Sequence, residues 1–158
     1  MSLFSRIIQI EDLPEIIKFE KHKLTETIHD EIKREISSWS ARWREESPKH
    51  YLPMGWSFLT QEKEEGSENE GKLVGYFIAQ PLLFFDGNTQ NLWVEHISYA
   101  TLQVRDELCE IAYKLAREKH FQKVFFPESQ SILNAVKNFK ATNWDPRVLF
   151  ANTTKVSN

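Results

Sequence analysis

Residues 92–126 read LWVEHISYATLQVRDELCEIAYKLAREKHFQKVFF, and this stretch decides the fold. Residues 92–99 have the composition of a strand. From residue 102 to residue 119 apolar side chains recur at helical spacing, which predicts a long amphipathic helix. Residues 123–126 are short and apolar, as is typical of a buried parallel strand. The stretch therefore predicts a strand–helix–strand crossover, with Cys109 bordering the inner face of the helix.

The first 50 residues predict one strand and two helices. Residues 4–10 are rich in β-branched side chains, as strands are. Asp12 is the predicted N-cap of the first helix, and Glu15 completes a capping box. A second helix is predicted over residues 25–46, because isoleucine and tryptophan recur there at spacings of three and four. Pro48 follows its predicted end.

The middle and the end of the chain predict further strands and one more helix. Strands are predicted over residues 56–60 and 72–80, with an acidic, mobile loop over residues 61–71 between them, and the Asp-Gly pair at 86–87 favours a tight turn. A last helix over residues 129–140 and a final strand over 147–152 complete the pattern. The predicted order is β-α-α-β-β-β-α-β-α-β, a mixed α/β fold in one domain spanning residues 1–158.

Composition excludes several classes of protein. The chain has 158 residues, a formal net charge of −3 and one cysteine, Cys109. One cysteine excludes an internal disulfide and a zinc site with two cysteine ligands, and no metal site is predicted. The chain has neither an apolar run of about 18 residues nor a strongly basic balance, so neither a membrane span nor nucleic-acid binding is expected. A cytoplasmic location is the resulting expectation.

Glycine is scarce in this chain. There are five glycines, where average usage predicts about 11, and none follows Gly87. Walker-type phosphate loops and dinucleotide fingerprints need glycine where the backbone approaches phosphate. The second half of the chain therefore contains neither motif.

Three phrases of the sequence resemble the GCN5-related N-acetyltransferase (GNAT) superfamily. Residues 73–76 (LVGY) are similar to its third-strand phrase, residues 94–98 (VEHIS) to the strand entering its cofactor site, and residues 116–125 (AREKHFQKVF) to the exit of its third helix. The resemblance implies the acyl-CoA N-acyltransferase fold. It also implies transfer of an acetyl group from acetyl-CoA to an amine, here an unidentified small-molecule or protein amine.

The region that would hold the cofactor departs from the superfamily's pattern. There, an Arg/Gln-x-x-Gly-x-Gly/Ala loop opens the third helix and its backbone N–H groups hold pyrophosphate. The corresponding residues are 100–105, and Thr101, Gln103 and Arg105 stand at the glycine positions. Their side chains would crowd the phosphate, so acetyl-CoA binding is predicted to be weak or absent. The resemblance implies cofactor contacts at Ile97, Ser98, Tyr99, Leu102, Gln103, Val104 and Arg105.

The last predicted helix shows a second departure. The superfamily's Asn-x-x-Ala-x-x-x-Tyr pattern falls on Ile132, Ala135 and Phe139, so that only the alanine matches. The tyrosine often protonates the leaving thiolate, and Phe139 has no proton to give. Asn143 and Trp144 replace a Gly-Phe pair, an exchange that preserves the fold.

Glu95 and His96 are the candidates for a general base. Transfer to an amine needs a group that takes a proton at working pH. Strand alternation predicts that the two side chains point to opposite faces, so that at most one faces a cleft. The alternative is that both are ordinary polar residues on a sheet face. Ser98 and Tyr99 likewise suit either a pantetheine-like arm or the backbone of splayed strands.

Two weaker candidates remain. Trp39, Arg42, Trp43 and Arg44 border the acceptor side in GNAT-like folds, or they form a core stripe with solvated arginines. Cys109 is predicted to be buried and unreactive.

Two functions of different classes follow from these residues. The first is an acetyltransferase with a degenerate cofactor loop, and the second is a non-catalytic relative that binds a ligand or a protein partner. An absent last strand would leave a sheet edge to cover, which predicts a homodimer. A further question is whether Leu102 and Phe126 plug the cleft between residues 94–99 and 123–126.

Overall fold

Five strands and four α-helices make up the described part of the chain. The computed structural model describes residues 2–27, 32–33, 46–66, 68, 71–85, 87–144 and 148–153. The elements are β1 (Ser2–Ile7), α1 (Leu13–Thr27), α2 (Glu46–Tyr51), β2 (Phe58–Lys63), β3 (Lys72–Phe85), β4 (Asn88–Tyr99), α3 (Leu102–Glu118), β5 (Lys123–Phe125) and α4 (Gln130–Val136).

The five strands form one sheet in the order β1-β2-β3-β4-β5. The first four strands run antiparallel, and β5 pairs with β4 in parallel. A parallel pair requires a crossover, which α3 supplies. This arrangement confirms the strand–helix–strand crossover that residues 92–126 predict.

Helices cover both faces of the sheet. On one face α1 and α2 bury a cluster that includes Ile16, Tyr51 and Tyr76. On the other face α3 packs against a cluster that includes Phe77, and α4 packs against α3. Tyr76 and Phe77 are both fully buried and are neighbours in β3. The central strand therefore carries one core on each face.

Gly75 allows α3 to lie close to the sheet. A Cβ atom at this position would lie 2.5 Å from Val104 Cγ1 and 2.9 Å from the carbonyl oxygen of Ser98. Those distances are shorter than van der Waals contact, so no larger residue fits without movement of the helix. The site at the start of α3 thus depends on a glycine in β3.

The first helix begins differently from the prediction. Residues Ile10–Asp12 form a short 3₁₀ turn, and α1 starts at Leu13. The Asp12 carboxylate accepts a hydrogen bond from the backbone N–H of Gln9 at 2.8 Å, and it accepts two from the Arg6 guanidinium. Asp12 therefore closes the preceding turn rather than capping the α-helix, because its carboxylate reaches back along the chain.

The predicted second helix lies mostly outside the described residues. Within the described chain, α1 already contains residues 25–27, and α2 includes Pro48 instead of ending before it. Pro48 stands in the first turn of α2, where a helix needs no backbone N–H donor. Its position at the beginning of a helix explains why the stop signal was misleading.

Two predictions about irregular segments are also wrong. Residues 61–63, expected in the acidic loop, belong to β2, where they pair with β1. Residues 148–152, expected as a final strand, have no regular structure, because a strand requires a partner that the local sequence does not specify. Gly87 does form the predicted turn between β3 and β4, with a φ of 73°.

In the part of the chain that the structure describes, none of the helices combines the length and apolarity needed to cross a membrane.

Candidate functional site

Strands β4 and β5 separate soon after they pair. Their register covers only Asn91, Leu92 and Trp93 of β4, while β4 itself continues to Tyr99. Within the described residues, no strand pairs with the β5 side of β4 from Val94 onward. The exposed edge leads directly to the start of α3, so β4 offers backbone polar groups to an extended ligand.

A β-bulge at Glu95 shapes this edge. Opposite it, Ile78 pairs with His96 and Ala79 pairs with Val94, so that Glu95 is the extra residue. His96 contacts Glu20 of α1 and Glu95 interacts with Tyr51 of α2, so both side chains lie on the face that these two helices cover. The prediction that they point to opposite faces is therefore wrong, because the bulge breaks the alternation that the prediction assumed.

A buried carboxylate lies beside His96. Glu20 in α1 is 5% exposed, and its Oε1 atom accepts a 2.7 Å hydrogen bond from the hydroxyl of Tyr76. The same atom lies 3.2 Å from Nε2 of His96. Burial raises the pKa of Glu20, but hydrogen bonds with His96, Ser98 and Tyr76 outweigh burial and leave the pKa below its ordinary value. Glu20 is thus a carboxylate at neutral pH, directed at an imidazole.

Lys23 lies one helical turn after Glu20 on α1. Its Nζ atom donates to the hydroxyl of Ser98 at 2.9 Å and to the carbonyl oxygen of Tyr99 at 3.1 Å. The ammonium also lies 5.3 Å from the centre of the Tyr99 ring. Burial lowers the pKa of Lys23, although the charges of Glu20 and Glu26 oppose that effect. Lys23 therefore places a cation at the end of β4.

Glu95 has its own polar partners. The indole N–H of Trp93 donates to the Glu95 carboxylate. Tyr51 of α2 contributes a hydroxyl: burial raises its pKa, and so do the charge and hydrogen bond of Glu95. Gln80 Nε2 in turn donates to the Tyr51 hydroxyl at 3.4 Å. Glu95 and His96 thus lie side by side with separate sets of partners.

A side chain of the protein itself caps the start of α3. Thr101 is the N-cap, and its hydroxyl accepts from the backbone N–H of Val104 at 3.3 Å. Val104 is buried in the core, whereas Leu102 and Gln103 are exposed. Among the residues implied as cofactor contacts, Val104 is therefore a packing residue. A side chain of this protein already occupies an N–H group that an anion would use.

Arg105 points inward and ties α3 to α4. It is 9% exposed, and its Nη1 atom donates to the carbonyl oxygen of Ser131 at 3.1 Å and to the Ser131 hydroxyl at 3.2 Å. Two further hydrogen bonds go to Asp106. The hydroxyl of Tyr99 donates to the same Ser131 oxygen at 2.6 Å. The guanidinium is thus used for internal contacts that join β4, α3 and α4.

The described cavity lies where β5 ends, and residues of β4, β5 and α4 contribute to its lining. It has a volume of about 700 Å³. Leu102 is 60% exposed and does not plug the cleft beside β4, while Phe126 packs against the cores under α3 and α4. We call the cavity the β5 groove, and it is lined by Trp93, Phe125, Pro127, Ile132, Val136 and Trp144, among others.

The positions that differ from the superfamily's second motif serve packing. Phe139 stacks face to face on Tyr113, with ring centres 4.2 Å apart. Ile132 and Ala135 are buried against Cys109. Cys109 is fully buried, and burial raises the pKa of its thiol to about 12, as expected for an unreactive cysteine. The proposed acceptor residues Trp39, Arg42, Trp43 and Arg44 lie outside the described residues.

The sequence analysis missed the partners on the helices. Glu20, Lys23 and Tyr51 come from α1 and α2, far along the chain from Glu95. One signal was available: Glu20 follows Ile16 by four residues and so shares the buried face of the helix. A carboxylate at such a position needs a partner, and the partner is His96.

Comparison with known proteins identifies the fold. No protein-family model matches the sequence, and no curated protein matches it. Among solved structures, a predicted acetyltransferase with acetyl-CoA from Clostridium acetobutylicum has a TM-score of 0.60 at 11% identity, covering 96% of both chains.

Two further structures agree. The ribosomal-protein-alanine N-acetyltransferase of Brucella melitensis biovar Abortus 2308 has a TM-score of 0.56 at 14% identity, covering 96% of this chain and 100% of that chain. An aminoglycoside acetyltransferase from an uncultured soil metagenomic sample, in complex with sisomicin, has a TM-score of 0.58 at 19% identity, covering 97% of both chains. The chain therefore has the GNAT fold, which confirms the prediction from the sequence.

Proposed function

We propose that this chain uses the GNAT fold as an N-acyltransferase, with His96 taking the proton that the acceptor amine loses. The observation that carries the proposal is the bulge at Glu95. It turns His96 toward the buried carboxylate of Glu20, beside the unpaired edge of β4. Burial of the polar pair formed by His96 and Glu20 costs free energy, and packing alone does not explain why the fold contains it.

The geometry suits general-base catalysis by His96. Histidine is the side chain that most often serves as a general base in enzymes. The carboxylate of Glu20, 3.2 Å away, orients the ring and stabilises the imidazolium that forms. Bound acetyl-CoA would supply the acyl thioester. Glu95 gives an approaching ammonium group a negatively charged neighbour, which favours an amine as the acceptor.

We propose that the protein binds the pantetheine arm of the donor rather than its phosphates. The β4 edge beyond Trp93 fits an extended pantetheine arm, and Ser98 and Tyr99 lie along it. The start of α3 does not fit pyrophosphate, because Thr101 caps the helix and Arg105 is held by Ser131. We place the reaction in the cytoplasm, in keeping with the single unpaired cysteine.

Substitution of His96 tests the proposal. With an acetyl donor and a panel of small amines, His96→Gln should lower kcat by about 10²–10⁴-fold, the usual contribution of a general base. Glu20→Gln should lower it less and shift the pH–rate profile, since Glu20 acts through His96. His22→Gln is the matched control: this histidine is exposed and contacts only Glu26 among the described ion pairs. Equal activity of His96→Gln and wild type would contradict the assignment.

The donor itself provides a second test. If the start of α3 does not bind the phosphates, acetyl-CoA and acetyl-pantetheine should give kcat/KM values within about threefold of each other. A phosphate contact that contributed about 1.4 kcal/mol of binding free energy would instead give a tenfold difference. Thiol release measured with both donors decides the point. A preference for acetyl-CoA of a hundredfold or more, or a micromolar dissociation constant in titration calorimetry, would contradict our view of this helix start.

A non-catalytic binding module is the second candidate, and one observation favours it. The network of Arg105, Ser131 and Tyr99 joins the elements between which a donor would enter. Such a network stabilises the fold whether or not a donor binds. Absence of thiol release with every donor, together with absence of donor binding, would favour this candidate over the enzyme.

A further inference from the structure

Lys23 reaches the unpaired edge of β4 from α1. Its ammonium donates to the carbonyl oxygen of Tyr99 at 3.1 Å. The next backbone N–H, that of Ala100, donates to Val74 of β3 at 2.8 Å. Because hydrogen bonding alternates along an antiparallel pair, the N–H and C=O of Tyr99 point away from β3, toward the side of β4 where the described residues place no strand beyond Trp93. The amine of Lys23 therefore lies at the edge that the proposed function assigns to the pantetheine arm.

Hydrogen bonds connect Lys23 with the proposed base. Lys23 Nζ donates to the hydroxyl of Ser98 at 2.9 Å, and that hydroxyl donates to the Glu20 carboxylate. Glu20 Oε1 in turn lies 3.2 Å from Nε2 of His96. His96 and Ser98 are two residues apart in β4 and both contact α1, so they are separated by about 7 Å along the strand. An acyl carbon between them is within reach of the Lys23 nitrogen and of the imidazole together.

The surroundings of Lys23 favour its neutral, nucleophilic form. The side chain is half-buried, and burial lowers its pKa, although the charges of Glu20 and Glu26 oppose that effect. At a given pH, a larger fraction of Lys23 is therefore neutral than of an ordinary exposed lysine. A neutral amine keeps two N–H groups for the oxygens of Ser98 and Tyr99 and has one lone pair, which attack on a carbonyl carbon requires.

We propose that Lys23 is itself an acyl acceptor, so that the chain acylates its own first helix. The inference rests on the proposed function, because it needs an acyl thioester at the β4 edge. Lys23 first releases one proton to solvent. Its nitrogen then bonds to the acyl carbon, the carbon–sulfur bond breaks, and the second proton that the nitrogen loses passes through His96 to the departing thiolate. The products are an uncharged acyl-lysine and a free thiol.

Peptide mapping by mass spectrometry tests the inference and needs no external amine. The wild-type protein is incubated with acetyl-pantetheine, and the acetylation rate of Lys23 is compared with that of Lys21, an exposed lysine of the same helix. Lys23 should be acetylated at least about tenfold faster, because the fold holds its amine beside the donor. Equal rates, as expected for the unassisted reaction of lysines with a thioester, or a faster reaction at Lys21 would overturn the inference.

Variants separate the assisted from the unassisted reaction. His96→Gln should slow acetylation of Lys23 at least about tenfold and leave that of Lys21 unchanged, because only Lys23 uses the base. In the intact mass, Lys23→Arg should abolish the fast addition of one acetyl group, whereas Lys21→Arg should keep it. Unchanged acetylation of Lys23 in His96→Gln would overturn the inference. If the wild type acetylates small amines but not Lys23, the proposed function stands and this inference is wrong; if it acetylates neither, both are wrong.

Discussion

At the scale of single residues, Glu20 has the greatest consequences. It is a carboxylate in the core, and its hydrogen bonds hold Tyr76 on the sheet and contact His96 on the bulge. Hydrogen bonds to charged groups contribute about 1.5–3 kcal/mol each. Glu20 therefore contributes to the free energy of unfolding and also takes part in the proposed chemistry.

The ionisation of Glu20 predicts an acid-sensitive stability. Its pKa in the folded chain lies below the ordinary value of 4.5, so its contribution is complete above pH 4.5 and is lost as the pH falls through the folded pKa. The free energy of unfolding should thus fall less steeply below pH 4.5 in Glu20→Gln than in wild type. Urea denaturation at pH 7 and at several lower pH values measures this slope.

Glu26→Gln is the control for that experiment, since the Glu26 side chain is 64% exposed. The control should keep the wild-type slope. A Glu20→Gln protein that loses stability in acid as steeply as wild type would show that other carboxylates determine the acid sensitivity and that Glu20 does not contribute to it.

At the scale of elements, the sequence predicts what depends on local pattern. The crossover over residues 92–126 was predictable, because helical and strand periods alternate cleanly there. The bulge at Glu95 was not, because VEHIS is an uninterrupted strand pattern and the extra residue is set by pairing with β3. Residues 148–152 also show what local pattern leaves out. Their apolar run predicts a strand, but such a run becomes a strand only where another strand pairs with it.

The contact between β3 and α3 gives the prediction for this scale. Gly75→Ala should destabilise the chain by about 1–3 kcal/mol, because the new methyl group meets Val104 and backbone at Ser98. Denaturant midpoints measure the loss. The double variant Gly75→Ala/Val104→Ala should lose less than the sum of its two single variants, since shortening Val104 makes room for the methyl group. Additive losses would mean that this contact does not limit the packing of α3.

At the scale of the whole molecule, β3 unites two cores. Tyr76 belongs to the core under α1 and Phe77 to the core under α3, and both are fully buried. Neither core can be lost without exposing the strand that the other requires. The mixed sheet and its helices were predictable from the sequence, whereas the meeting of α1 with the bulge required knowledge of how distant segments pack.

We therefore expect one cooperative unfolding transition. Tryptophan fluorescence and far-ultraviolet circular dichroism should give the same denaturant midpoint, because the two cores share β3. Phe77→Ala should lower both midpoints together. The free energy of unfolding should fall by an amount near the 3–5 kcal/mol typical of a buried phenylalanine, which is about half of an ordinary domain's stability. Two separate midpoints would show that the α1 side and the α3 side unfold independently.

Trp93 takes part in two sites, the surroundings of Glu95 and the β5 groove. Its indole N–H donates to Glu95, and its ring lines the groove beside β5. An occupant of the groove that turns the indole must also break its hydrogen bond to Glu95. Binding at the two places is then thermodynamically linked, and the linkage is reciprocal: whatever a ligand at Glu95 does to the affinity of the groove, the groove's occupant does to the affinity of that ligand.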